Sequence, residues 1–138
     1  MIEQVLLADG EICRFCSSTA GRRIMIESEF GFAAWDLHPA SVGHFLVIPH
    51  RHVSDYFKIN DQERQELWRL VSEGKAMVDV KHNPDGYNIG INVGKWSGQS
   101  IPHLHIHVIP RYQGDVENPK GGVRGVIPQK KLYTIELD

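Results

Sequence analysis

Residues 101–111 read IPHLHIHVIPR, with histidine at 103, 105 and 107 inside an otherwise apolar run. Side chains in a strand alternate between faces. A strand over HLHIHVIP, residues 103–110, therefore carries His103, His105 and His107 on one face and Leu104, Ile106 and Val108 on the other. One face packs and the other is left for chemistry. Same-face neighbours stand about 6.5 to 7 Å apart, too far for three rings to share one small ion easily, so the rings have room for separate tasks.

Just upstream, GKWSGQS forms a polar glycine loop. Gly94, Gly98, Gln99 and Ser100 belong to the kind of backbone that turns amide N–H groups toward an anion, although a turn built of small residues reads the same way. It is not a P-loop, because Trp96 follows Lys95 where a magnesium-binding Ser or Thr would stand. Further upstream, YNIGINV reads as another strand and HNPDG as a turn. From Asn60 the period changes. Asn60 and Glu63 form an N-cap pair, and Leu67, Leu70, Val71, Met77 and Val78 recur at helical spacing, predicting one long helix over about 61–80. Gly74 interrupts its apolar face and marks a close approach to the sheet. Before the helix, RRIMIES, FGFAAWDL and GHFLVIP predict three strands of an antiparallel meander, closed by Pro49. The expected architecture is α+β, a mainly antiparallel five-stranded sheet with one covering helix, in a single domain over 1–138 whose tail is irregular from about 113.

The bulk numbers narrow the function. A chain of 138 residues suits one ordinary core. A formal net charge of -2 gives no basic footprint for a nucleic-acid backbone. The segment MIEQVLLADGEICRFC has no long apolar core, and no uncharged apolar run reaches membrane-spanning length, so a soluble cytoplasmic protein is expected. Both cysteines lie in one C-x-x-C, Cys13 and Cys16, too close to staple a small secreted fold and correctly spaced for a metal or a redox pair. A thioredoxin-type role is disfavoured, since the pair does not open a helix after a strand.

These blocks together resemble the histidine triad (HIT) hydrolases and transferases. HLHIHVI matches the H-x-H-x-H signature followed by two apolar residues, with NVGKWSGQSIP before it and PR after it. DLHPASVGHFLVIPHRH resembles the family's upstream strand, and CRFC the C-x-x-C of many prokaryotic members. The likeness extends from about residue 13 to 111; the tail GDVENPKGGVRGVIP also looks like a prokaryotic branch.

The resemblance implies a HIT-like fold and cleavage at the α-phosphate of dinucleoside polyphosphates, nucleoside phosphoramidates or similar nucleotidyl compounds. It implies His105 as nucleophile, forming a nucleotidyl-histidine later released by water. His107 would contact the α-phosphate or the bridging oxygen, with His44 on the same polar side. It implies Asp36 as acceptor for the ribose hydroxyls, and Asn92, Gln99 and Ser100 as ribose or phosphate contacts. Each of these three can instead satisfy the loop backbone. Trp35 and His38 leave base preference open. For the cysteines it implies a closed structural zinc site completed by His52 and His103; His50, two residues from His52, competes for that place, and a metal-free reduced pair is the alternative. No organic cofactor is expected. A homodimer paired through the helix and sheet edge is implied by the family alone. Three rival readings stay open: a nucleotide sensor without turnover, a phosphorylase that uses phosphate in place of water, and a zinc-dependent hydrolase.

Overall fold

Period-two and period-3.6 segments separate cleanly in the computed structural model, which describes residues 13–17 and 23–134. Residues 1–12, 18–22 and 135–138, including both ends of the expected 1–138 domain and Arg22 at the start of the first expected strand, lie outside the described residues. A short helical turn, α1 (Arg14–Ser17), precedes strands β1 (Ile24–Glu27), β2 (Gly31–Trp35) and β3 (Phe45–Pro49). The long helix α2 (Asp61–His82) follows, then β4 (Gly86–Ile91) and β5 (Ile106–Arg111). All pairings are antiparallel and the order is β1-β2-β3-β5-β4, so the first three strands form the expected meander and β5 inserts between β3 and β4. The fold is α+β, a five-stranded sheet under one long helix.

The helix begins where the sequence places it. Asn60 accepts a hydrogen bond from the Glu63 N–H at 2.8 Å, and Glu63 accepts one from the Asn60 N–H at 3.1 Å. This capping box satisfies two otherwise orphan donors and is worth about 1 kcal/mol. The same buried carboxylate receives two hydrogen bonds from Arg51, at 2.7 and 3.1 Å, which hold it below the ordinary glutamate range. At the other end Asn83 takes the left-handed conformation, with φ at 50°.

Leu67, Leu70, Val71 and Val78 are buried as expected, but Met77 is 41% exposed. The buried stripe passes through Gly74 instead, which leaves Met77 on the flank. A β-carbon at Gly74 would stand 2.5 Å from the Phe45 ring, so the glycine permits the helix to lie close on β3.

The sheet separates two apolar clusters. Under the helix lie Ala33, Phe45, Val47, Leu104, Ile106 and Val108 with the helix stripe. Across the sheet, Phe32, Ala34, Leu46 and Ile48 pack with Cys13, Phe15 and Cys16. β2 and β3 thus feed both clusters by alternation, which is why β3 is buried at every position.

One boundary differs from expectation. The strand expected over 103–110 forms regular pairing only from Ile106. His103 to His105 run ahead of it: the β3–β5 register ends at Val47 with Ile106, and the Leu104 N–H goes instead to the Val53 carbonyl at 2.7 Å. The alternation of faces nevertheless persists, with Leu104, Ile106 and Val108 fully buried under the helix. Residues 113–134 contain short 3-10 turns and no further strand among the described residues. No described helix is long and apolar enough to cross a membrane.

Candidate active site and metal cluster

The register of β3 with β5 brings the first functional pair together. Leu46 faces His107 across the ladder, so His44, two residues back on the same face, is a diagonal neighbour of His107. His44 Nε2 lies 3.1 Å from His107 Nδ1. The Ala40 N–H donates to His44 Nδ1 at 2.9 Å, so neutral His44 carries its proton on Nε2 and donates it to His107 Nδ1. Neutral His107 is then protonated on Nε2. Asp36 Oδ2 stands 3.4 Å from His44 Nε2, and its Oδ1 accepts the His38 N–H at 2.7 Å. Burial is the main cause that lowers His44, opposed by the Asp36 charge. Burial also pulls His107 down to about 4, helped by His105 and His44. Both rings therefore work as neutral hydrogen-bonding groups near pH 7.

His105 is fixed differently. Its Nδ1 donates to the His103 carbonyl at 2.9 Å, which puts the ring lone pair on Nε2, the form a nucleophile needs. The ring is buried, with Phe15 edge-on at 5.0 Å and His107 at 4.9 Å between centroids. These rings open on a cavity of about 290 Å³. Its polar wall is Asp36, His44, Ser100, His105 and His107, and its apolar wall is Phe15, Leu37, Leu46 and Ile101, with Arg14 and His38 also present. A small apolar slot with a few convergent polar groups is what an organic ligand with one ionic end requires.

His103 turns away from this cavity. Its Nε2–H donates to the Pro49 carbonyl at 2.8 Å, which directs the Nδ1 lone pair into a cluster with Cys13, Cys16 and His52. Separations within the cluster are 3.5 Å from Cys13 Sγ to His103 Nδ1, 3.2 and 3.1 Å from Cys16 Sγ to His103 and His52, and 3.2 Å between the two Nδ1 atoms. Zinc–ligand bonds of 2.0 to 2.3 Å in a tetrahedron imply edges of roughly 3.3 to 3.8 Å; the separations here lie at or just under that range, and two Cys with two His is a zinc donor set. Burial and the neighbouring Cys13 push the Cys16 thiol up to about 12, so two sulfurs this close become good thiolates only with a cation between them. Such a cation would clamp α1 to the segments that follow β3 and precede β5 and leave no coordination position for water. His50 is engaged elsewhere, donating to the Ser28 carbonyl at 2.9 Å and stacked on Phe32.

The sequence-derived residues thus divide. Asp36, His44, Ser100, His105 and His107 line one cavity. Cys13, Cys16, His52 and His103 form the metal-type cluster. Asn92 lies just past β4, outside the cavity lining. Gln99 is used by the loop itself: it accepts the Gly94 N–H at 2.9 Å and donates to the carbonyls of Ser54 and Ile101 at 2.9 and 3.2 Å. The Gly94 amide thereby has a partner inside the chain. Trp35 lies on the helix side, edge-on to Phe45 and under the Lys81 ammonium. Arg14, Phe15, Leu37, Leu46 and Ile101 complete the lining; all but Leu46 adjoin a motif residue, the one local signal that could have found them. A larger cavity, about 460 Å³, lies between residues 112–122 and β4–β5, but Arg111 there is already neutralised by Asp115, and among the described residues no histidine, cysteine or serine lines it.

Comparison with known proteins agrees with this geometry. The HIT domain profile matches residues 18–114. The AP-4-A phosphorylase of Mycobacterium tuberculosis is 34% identical over 109 residues, covering 77% of this chain and 55% of that protein. The bis(5'-adenosyl)-triphosphatase of Dictyostelium discoideum is 37% identical over 95 residues, covering 69% of this chain and 64% of that protein. The chain thus spans between about half and two thirds of these two enzymes. A crystal structure of a Zn-bound histidine triad family protein from Mycobacterium smegmatis superposes with a TM-score of 0.64 at 31% identity, covering 72% of each chain. By profile, sequence and fold, the chain belongs to the HIT (histidine triad) family.

Proposed function

We propose that this protein, acting as one HIT domain over 1–138, cleaves nucleotidyl compounds at the α-phosphate through a covalent nucleotidyl-His105 intermediate. The observation that carries the reading is the His105 Nδ1–H bond to the His103 carbonyl, which presents the Nε2 lone pair beside protonated His107 Nε2 in one cavity. In the forward step His105 Nε2 bonds to the α-phosphorus while the bond from phosphorus to the leaving group breaks. His107 Nε2–H hydrogen-bonds the phosphoryl or bridging oxygen as charge develops there. His44 and Ala40 hold the tautomer that makes His107 a donor. Water then attacks the same phosphorus and frees His105. Phe15, Leu37, Leu46 and Ile101 receive the base, Asp36 accepts from the ribose hydroxyls, and Ser100 contacts ribose or phosphate. Asn92 and Gln99 keep a supporting part, Gln99 by closing the loop that delivers Ser100.

Cys13, Cys16, His52 and His103 would hold a structural zinc, which when bound clamps α1 and neutralises the thiolates. Related enzymes named for dinucleoside polyphosphates support that substrate class. The edge of β4, unpaired among the described residues and with Ile89 exposed, supports a homodimer, and two thiols held for a metal suit a reducing cytoplasm.

The test is incubation with a labelled adenylyl donor followed by mapping of acid-labile label, with and without added phosphate. Label on His105 and turnover in water are expected. Turnover that requires phosphate would make it a phosphorylase. Neither adduct nor turnover on any donor would leave a nucleotide sensor.

A further inference from the structure

We propose that Arg14, the residue between Cys13 and the buried Phe15, is the polyphosphate-gripping residue of this site and biases it toward nucleotides with a charged phosphate chain. The inference rests on the nucleotide reading above and specifies its substrate class. From Cys13 to Cys16, three side chains turn inward and are nearly or fully buried, while Arg14 is exposed and lines the same cavity as His105 and His107. The α1 turn is held at both ends, since Cys13 and Cys16 belong to the four-residue cluster and Phe15 packs edge-on against His103 and His105. That anchoring fixes the backbone from which the guanidinium projects.

Charge decides what it does there. Among the described residues lining the cavity, Arg14 is the one side chain with a permanent positive charge, and Asp36 supplies a negative one. Every phosphate added to a ligand adds negative charge, so without Arg14 the lining offers a polyphosphate no fixed counter-charge. An uncharged nucleoside needs none. A guanidinium also pairs with phosphate oxygens through two parallel N–H donors, which makes it suited to a chain lying across the mouth of the slot.

Binding is the direct test, because it does not depend on turnover. Adenosine and a methylene-bridged, non-hydrolysable diadenosine tetraphosphate are titrated into the full-length wild-type protein, Arg14→Gln and Arg14→Lys, at low and high salt. Metal content and Tm confirm that each variant keeps its fold. The wild type is expected to bind the analogue more tightly than adenosine, by a margin that shrinks with salt. Arg14→Gln should lose about tenfold or more on the analogue, the worth of a charge-assisted hydrogen bond, with little change on adenosine; Arg14→Lys should recover part of the loss. Equal losses on both ligands, no loss on the analogue, or no binding of the analogue by the wild type would each overturn the proposal. Normal binding with no turnover of any nucleotide would overturn catalysis and leave the role of Arg14 intact.

Discussion

The two faces of the sheet are built by the same strands and solve opposite problems. Beneath α2, Phe45, Val47, Ile106 and Val108 meet the helix stripe, and hydrocarbon fills the space without needing defined partners. On the far face the same alternation delivers His44, His103, His105 and His107, and each of these rings has a specific hydrogen-bond partner. Burying apolar groups demands only volume and contact; burying imidazoles demands a partner for each nitrogen. The helix face should therefore govern stability and the histidine face chemistry, except for the cysteine cluster, which lies on the far face and should serve stability.

The largest expected effect breaks that division on the chemical side. His105→Asn should lower turnover by about a thousandfold or more while shifting Tm by only a few degrees, since the ring is nucleophile rather than filler. Steady-state kinetics with parallel thermal melts checks both halves; a collapse of Tm equal to the loss of activity would show that the faces are not separable.

Next comes the cluster. Cys16→Ser, or chelation of wild-type protein, should release bound zinc and cost several kcal/mol of stability, with activity falling in step with unfolding. Metal analysis beside urea unfolding decides it. Activity lost from a protein that remains folded would point to a metal taking part in catalysis.

On the helix face, Gly74→Ala should destabilise by about 1–3 kcal/mol despite alanine's better helix propensity, because the new methyl would meet the Phe45 ring. Ligand affinity per folded molecule should stay unchanged. A stabilised variant would mean that helix and sheet move apart freely.

The last effect is in pH. His107 titrates in the folded protein at about 4, below the ordinary histidine value of about 6.5. Between those values the unfolded chain binds a proton that the folded chain refuses, so this contribution is fully present above about pH 6.5 and is lost as pH falls through about 4. Thermal melts of wild type and His107→Asn over that window should converge as the pH drops, the variant having the flatter profile. Parallel curves would remove His107 from the linkage.

Much of this was legible in local pattern. Asn60 with Glu63 marks a helix start because the cap is a contact across three residues, and the two rows of 103–108 separate faces because strand geometry is period two. Met77 misled because helical spacing leaves the edge of a stripe ambiguous, and only the close seat of Gly74 on Phe45 shows which way the helix is rolled. The start of β5 shifted to Ile106 because pairing depends on where β3 runs, which no local pattern encodes.

By itself, then, the sequence determined the alternation of strands and helix and which histidines share a face, both consequences of backbone periodicity, and a pair of cysteines three positions apart. Only the tertiary structure decided that His52 rather than His50 joins Cys13, Cys16 and His103, that His44 meets His107, that Gln99 serves its own loop, and that Arg14 reaches the cavity. Those outcomes depend on register between distant strands and on which nitrogen each neighbouring carbonyl or amide claims. Contacts between residues tens of positions apart have no period to be read from.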